Sequence, residues 1–437
     1  MAGSSPDARA APLTASLPPG RLALLFAVML VTAAGNTAMQ SVMPSIGTSL
    51  GVADVWISLA YTWSALLWML CAPFWARRSD QRGRKAMMAL GLVGFAASFT
   101  LCGTALWLGL SGWMGGLATL LAFAAARSLY GGFGSAAPPA VQAYVASRTE
   151  RAERTGKMAL ISSSFGLGTV VGPALAPLMI VPGLGLVGPF VAFALIGFAM
   201  LAALRLRLPD DTPAFPGHGD VTAAPFAGSL PAPPVEDDAA APHERLAWRD
   251  RRLRPWLVCG LLGGHAQAMV LGLVGFLVLD RLGLRHAPAG GAGPTGLVLM
   301  AGALATLLAQ WGLIPMLGMG PRASCLWGAA AGAAGVAILA LAGDLHAIAL
   351  GLAVASLGFG LVRPGFTAGS SLAVGRAQQG EAAGIVASLN GAAYIVAPAI
   401  GVWIYGRDPW VVFALIAGLC VALVAYGWRH LPPDVAA

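Results

Sequence analysis

Trp75-Ala76-Arg77-Arg78-Ser79-Asp80-Gln81-Arg82-Gly83-Arg84-Lys85 separates two apolar blocks, residues 54 to 76 and 86 to 108, and this arrangement decides how the chain is read. Each block matches the roughly 20 residues that a helix needs to cross a hydrocarbon layer. Apolar block, charged run, apolar block therefore predicts two membrane crossings joined by a turn in water, because the charges cannot follow the helices into lipid. The composition of the whole chain agrees. Of its 437 residues, 57% are hydrophobic and 10% charged, against soluble averages of roughly 45 to 50% and about 25%. So few charges cannot clothe so apolar an interior, and the solvent is lipid. The 26 basic and 18 acidic residues give a formal charge of +8. They fall between apolar blocks and form no single basic face, so the excess reads as membrane topology, and no nucleic-acid partner is expected.

Working outward, twelve apolar blocks can be counted: 21 to 43, 54 to 76, 86 to 108, 114 to 138, 157 to 180, 184 to 206, 254 to 280, 293 to 317, 323 to 343, 347 to 373, 382 to 405 and 409 to 428. They contain many of the chain's 58 glycines and 30 prolines, which membrane helices tolerate because small residues allow close packing and neighbours satisfy kinks. Lys and Arg concentrate in alternate connections, at Arg77, Arg78, Arg82, Arg84 and Lys85, at Arg148, Arg151, Arg154 and Lys157, and at Arg245, Arg249, Arg251 and Arg252. The other connections hold Arg281, Arg285 and Arg407. By the positive-inside rule both termini are expected in the cytoplasm, with the protein in a bacterial inner membrane. Residues 1–20 read as a disordered tail, 21–206 as a first six-helix bundle, 207–250 as a cytoplasmic linker, 251–430 as a second bundle and 431–437 as a tail. The five cysteines stand singly inside apolar blocks, so buried free thiols are expected, with no metal site and no cofactor.

The two halves resemble each other. Gly132-Phe133-Gly134 followed by Pro138 recurs as Gly358-Phe359-Gly360 followed by Pro364, and Gly172-Pro173 recurs as Ala397-Pro398 at nearly the same spacing, one span further on in each half. Agreement in two neighbouring spans supports a duplicated six-helix unit, an arrangement that holds its substrate between the repeats. The fold class is thus an all-α membrane protein of twelve transmembrane helices in two pseudo-symmetric bundles.

The charged run of the opening carries more than topology. A carboxylate beside a glycine turn can accept from a helix amino terminus while the basic residues meet carbonyl ends or acids. The run resembles the loop signature of the major facilitator superfamily, in which an Asp is followed at three residues by Gly and then by two basic residues. The resemblance implies gating roles for Asp80, Gly83, Arg84 and Lys85, with Asp80 latching against the start of span eleven. Ala76 replaces a usual Gly and Gln81 a usual Arg. Arg127, thirteen residues into span four, lies near the bilayer centre, where a guanidinium is costly unless it faces protein or water. Arg127-Ser128-Leu129-Tyr130-Gly131 is similar to the family's span-four arginine motif, which implies a part in proton coupling. Gln142-Ala143-Tyr144-Val145-Ala146-Ser147 resembles a family stretch that normally closes on Asp. Gly168, Gly172 and Pro173 open one face of span five and permit a bend, and Gly-x-x-x-Gly-Pro there is similar to the signature of drug/proton antiporters of the tetracycline-efflux type.

Other polar groups inside spans must be satisfied without water. Asn36, Gln40, Gln267, Asn390 and Arg363 are candidate cargo contacts, with Gln310 in span eight as interhelical glue. Trp56, Trp63 and Trp68 read as interface and packing residues. No span has a central carboxylate, so His265, whose type titrates near neutrality, and Asp54 at one end of span two are the candidates for carrying a proton. HExxH, a phosphate-binding loop and an intramembrane pair of acids are all missing, so neither an enzyme nor direct ATP drive is expected. The function expected is secondary active export of a small amphiphilic compound by alternating access, proton-coupled, by a monomer in the lipid bilayer. With few acids to line a cavity, its cargo would be neutral, zwitterionic or anionic. The alternative is an importer of a nutrient or metabolite by the same fold.

Overall fold

Hydrophobic length, more than capping, sets the helices. The computed structural model describes residues 17–149, 151–210, 246, 250–375 and 378–434. Ten helices in it are long and apolar enough to cross a membrane. Span one is Pro19–Ser49, span two Asp54–Arg82, span three Arg84–Leu110 and span six Gly188–Arg207. Span seven is Arg254–Arg281, span eight begins as Ala292–Leu307, span nine is Pro321–Leu341, span ten Leu345–Leu372, span eleven Gln379–Tyr405 and span twelve Pro409–His430. The other two are interrupted. Span four, Gly116–Gly132, passes through a tight turn, Gly134–Ala136, into a short helix, Ala137–Ser147, where Pro138 and Pro139 supply no N–H. Span five, Arg151–Leu175, starts among charges and tightens into a 3₁₀ turn at Ala176–Met179, just after Pro173. The expected count of twelve stands.

Several limits differ from the sequence reading, two of them for reasons that lie in a single residue. Span one continues past residue 43 to Ser49, because Pro44 costs the helix one hydrogen bond without ending it. The turn between spans two and three shrinks to Gly83, whose φ of 89° is open to glycine and strained for other residues. The linker expected at 207–250 lies almost wholly outside the described residues. Of the five cysteines, four are buried as expected, while Cys71 is half-buried.

Gly91 and Gly94 of span three face Ala137 and Phe133 beside the turn of span four, and a Cβ on either would collide there. In the second half Gly328 and Gly335 of span nine sit in the same way against Gly358 and Ala355 of span ten. The repeated Gly-Phe-Gly segments thus occupy matching helix crossings.

The ends of the bundle differ. At the end that carries Lys85, Arg205 and Arg254, called the basic end below, each half keeps its own buried apolar cluster, one around Met29, Met88 and Ile161 and the other around Trp256, Cys325 and Phe366. Toward the far end a single cluster runs through both halves, joining Met43 and Phe123 to Val274 and Phe413. Small residues close that seam. Gly275 meets Pro44, Gly291 meets Ser45, and Gly296 of span eight lies against the carbonyl of Pro173.

Candidate functional site

Between the halves lies a cavity of about 930 Å³, part of it continuous with solvent. Span one brings Asn36 and Gln40 to it, span two Ser58, Tyr61, Ala65 and Trp68, and span four Arg127 and Tyr130. Spans seven and eleven add Phe276, Tyr394 and Pro398. Helical spacing explains the set. On span two the residues recur at three- and four-residue steps, and on span four Arg127 and Tyr130 are three apart, so each group shares one face.

Arg127 is 2% exposed. Its Nη2 donates to Asn36 Oδ1 at 2.8 Å, and its guanidinium carbon lies 4.6 Å from the centre of the Tyr130 ring. Trp68 packs on the same ring, 5.1 Å between centroids. These contacts are neutral. Nε and Nη1 of Arg127, the Tyr61 hydroxyl and Trp68 Nε1 are buried without a hydrogen-bond partner among the described residues. Among the described residues, no Asp or Glu lines the cavity. A buried charge left without a counter-ion costs several kcal/mol in an apolar medium, so this donor cluster is held at a cost.

Above Phe276, toward the far end, the opposite arrangement is found. Arg285 Nη1 and Nη2 donate to the two oxygens of Asp54 at 2.9 and 2.7 Å, and Nε and Nη2 reach those of Asp280 at 2.6 and 3.1 Å. Thr48 Oγ1 accepts from Nη1 at 3.3 Å, and the Tyr405 hydroxyl donates to Asp280 at 2.8 Å. Asp54 and Thr48 belong to the first half, while Arg285, Asp280 and Tyr405 belong to the second, so the cluster latches the halves together. Partial burial works to lower the pKa of Arg285, but the hydrogen bonds it donates to Asp54 and Asp280 outweigh it and hold the guanidinium above its usual value. Phe276, whose ring centre is 5.7 Å from the Arg285 guanidinium, lies between latch and cavity.

The other residues singled out from sequence fall in several places. Gln267, Arg363 and Asn390 line a second, smaller cavity on the basic side, with Tyr394 common to both cavities. His265 lines neither: its Nδ1 lies 2.8 Å from the carbonyl of Leu261, one turn back in its own helix. Asp54, the other candidate proton carrier, is held in the latch. Gly168 and Gly172 press span five onto span one, where a Cβ would run into the carbonyls of Leu30 and Ala34, and the Thr37 hydroxyl reaches the Gly168 carbonyl at 3.3 Å. Pro173 faces the seam with span eight. Lys85 Nζ bonds to Asp210 at 3.0 Å and to the Arg205 carbonyl at 3.1 Å, at the end of span six. Gly83 forms the turn before Arg84, while the Asp80 side chain lies outside what the structure describes. Gln310 sits in a π turn, Leu308–Leu313, that continues span eight.

Sequence reasoning missed Tyr61, Trp68 and Tyr130, although the Ser58-Tyr61-Ala65-Trp68 stripe was a usable signal. Trp68 is a buried cavity residue and not an interface marker, because its face of span two turns inward. Arg285 had no comparable signal, since a lone loop arginine is ordinarily solvated.

A family profile described as Major Facilitator Superfamily matches residues 25–368. Among curated proteins, the chain is 29% identical over 178 residues to the "Probable actinorhodin transporter" of Streptomyces coelicolor, covering 40% of this chain and 28% of that one. It is 25% identical over 156 residues to "Multidrug resistance protein MdtG" of Proteus mirabilis, covering 34% of this chain and 35% of that one. The chain thus matches about a third of the length of these relatives. Among solved structures, the human organic anion transporter MFSD10 superposes with a TM-score of 0.61 at 19% identity, covering 94% of this chain and 100% of that one. The nucleoside transporter NupG gives 0.66 at 12% identity, with the same coverage. At such identities these two show the fold.

Proposed function

The chain belongs to the major facilitator superfamily, and on that premise we propose that it exports a small amphiphilic compound across a bacterial inner membrane by alternating access, in exchange for protons. That it is a membrane-spanning transporter, and not an enzyme, follows from the family itself. The observation that carries the finer reading is the cavity between the halves, with a buried cation in its lining and an inter-half latch beyond its far end. A site between two repeats that is shut on one side by breakable contacts is what rocking of the halves requires.

Export is favoured over uptake by the Gly168-x-x-x-Gly172-Pro173 signature and by the names of the two curated relatives, one a probable transporter of actinorhodin and the other a multidrug resistance protein. The excess of Lys and Arg at the basic end favours a cytoplasmic position for that end and for both termini. In this reading the latch faces outward. The charged turn of Asp80, Gly83, Arg84 and Lys85 gates the cytoplasmic side, Arg127 and His265 serve coupling, and span five flexes at Pro173. The protein works as a monomer.

Proteoliposomes with an imposed pH gradient test this. Candidate compounds should move against their own gradient when protons run the other way, and the flux should fall in Arg127→Ala and His265→Ala. Flux indifferent to the proton gradient would leave facilitated diffusion in place of exchange, and accumulation in the same direction as protons would make the protein an importer.

A further inference from the structure

Among the described residues, span eight alone contains a π turn. Ala292–Leu307 is regular α-helix, Leu308–Leu313 is the π turn, and Ile314–Met316 closes the span before Gly318, whose φ of 54° ends it. Pro315 follows the turn and supplies no N–H. That alone does not open the backbone, because Pro44, Pro364 and Pro398 lack the same N–H inside helices that run on as α. What sets span eight apart is length. Bonds in a π turn reach five residues along the chain where α bonds reach four, so the turn holds one residue more than the α turn it replaces.

Both flanks of this segment are fixed. Above it, Gly296 lies against Pro173 and Pro177 of span five, and the Thr306 hydroxyl donates to the Ser356 carbonyl of span ten at 3.2 Å. Below it, Asp434, beyond span twelve, accepts from the backbone N–H groups of Arg322 and Ala323 at 2.9 and 2.8 Å. Arg322 Nη2 also donates to the Trp428 carbonyl at 3.0 Å, so the start of span nine is strapped to the end of the chain. The segment between is held loosely. Within residues 308–316 only Ala309 is buried, and among the described residues a Cβ on Gly312 would meet only Leu308 of its own turn. This lies at the basic end, where each half keeps its own buried cluster and where rocking must bring the halves together.

We propose that Leu308–Met316 is a hinge at which span eight bends as the basic ends of the two halves close on each other. The wide turn bends by exchanging five-residue for four-residue bonds. Its strapped lower end then travels with span nine, while the part above stays packed between spans five and ten. The hinge rests on rocking of the halves, and on neither protons, direction nor cargo.

Spin-label distances test it in the full chain, in lipid nanodiscs with Cys71→Ser. Leu297→Cys with Leu317→Cys spans the turn, both positions being exposed, and Trp327→Cys with Leu341→Cys marks the unbroken span nine. Leu206→Cys with Leu372→Cys crosses between the halves at the basic end. On loosening the latch with Arg285→Met, the cross-half distance should shorten. The span-eight distance should shift by about 2 Å or more, as a bend of roughly 20° produces over this length, and the span-nine distance should hold. An unchanged span-eight distance overturns the hinge. If the cross-half pair moves without it, rocking stands and the hinge fails; if neither moves, the latch also fails as the trigger of rocking.

A straightened span eight gives the second measurement. Deleting Gly312 together with Pro315→Ala removes the added residue and leaves the flanks facing as before, so the melting temperature should hold or rise. In an Arg285→Met background, labelling of Ser45→Cys at the far-end seam by a membrane-impermeant maleimide should fall to within about threefold of its rate with the latch intact. Gly312→Ala, which keeps the residue count, should leave labelling fast. Fast labelling in the straightened protein shows that the bend is dispensable, and a lowered melting temperature shows that the turn holds no spare residue; either result overturns the proposal.

Discussion

Arg127 and Arg285 both carry a guanidinium into the seam between the halves, and they meet opposite company there. Arg285 is gripped by two carboxylates from opposite sides of the seam and supported by Thr48 and, through Asp280, by Tyr405. Arg127 has a neutral amide, an aromatic ring and two nitrogens without a hydrogen-bond partner among the described residues. The cation is the same, and the supply of acids differs. Where the protein provides both signs of charge, the contact is structural and shuts one end. Where it provides one sign only, the charge stays uncompensated in the wall of the cavity. A transporter needs both kinds, a closure strong enough to hold and a site weak enough to empty.

The largest expected effect comes from removing the open arginine. Arg127→Met should lower flux in proteoliposomes at least about a hundredfold, equivalent to about 2.7 kcal/mol of barrier. Its melting temperature in detergent should hold or rise, because an uncompensated buried charge has been replaced by a side chain of similar length. A drop in melting temperature with the flux would erase the contrast with Arg285. Arg285→Met should behave in the opposite way, leaving Asp54 and Asp280 side by side with no cation. Hydrogen bonds to charged groups contribute about 1.5 to 3 kcal/mol, and partial exposure of this cluster reduces that. A loss of about 2 kcal/mol would shift the far end toward opening roughly thirtyfold. Ser45→Cys, at the buried seam beside Gly291, reads this out as faster labelling by a membrane-impermeant maleimide, in a background where the half-buried Cys71 is replaced by Ser. Adding Asp54→Asn and Asp280→Asn should slow the labelling again, since it removes the repulsion. Unchanged labelling in Arg285→Met would mean that apolar packing alone shuts this end.

Tyr405→Phe removes one donor from the latch and should cost about 1 kcal/mol, or roughly fivefold in the same labelling rate. The smallest effect concerns an acid with no arginine at all. Asp344 caps span ten, accepting from the backbone N–H groups of His346 and Ala347 at 2.9 and 3.0 Å, and the Ala347 N–H chiefly holds its carboxyl below the usual range. A lowered folded-state pKa means that the stabilisation is present above the unfolded value and fades as pH falls through the folded one. Amide exchange at His346 and Ala347 should therefore be slow near neutrality and quicken, relative to chemical exchange, only in acid below about pH 4. In Asp344→Ala it should be fast at every pH, with the far end still closed. Labelling at Ser45→Cys that responded to Asp344→Ala would tie this cap to the latch and blur the distinction between local and inter-half acids.

Much of the architecture was legible residue by residue. Apolar blocks gave the spans to within a few residues, with Pro44 and Gly83 as the places where the chain did more with one residue than a block count anticipates. Of the candidate site, Arg127, Asn36 and Gln40 could be picked out because a polar group inside lipid needs a reason to be there. Tyr61 and Trp68 were less visible, since aromatic residues pack against lipid, protein and cargo alike. His265 stood out as a candidate proton carrier by its residue type, but the structure leaves it outside the cavity lining, within hydrogen-bond reach of its own backbone. Arg285 and Asp54 stand 231 residues apart, and nothing local to either pairs them.

By itself, the sequence determined that the chain enters a membrane, how often it crosses and where its polar exceptions lie. In lipid each stretch must satisfy its own backbone, so crossing is a local property that hydrophobic length dictates. Only the tertiary structure decided which exceptions face one another, that one arginine is saturated by acids and another left open, and that the halves share a core at one end. Pairing of charges and sharing of a cavity depend on helix rotation and on contacts between distant segments, and these are set when the helices pack together.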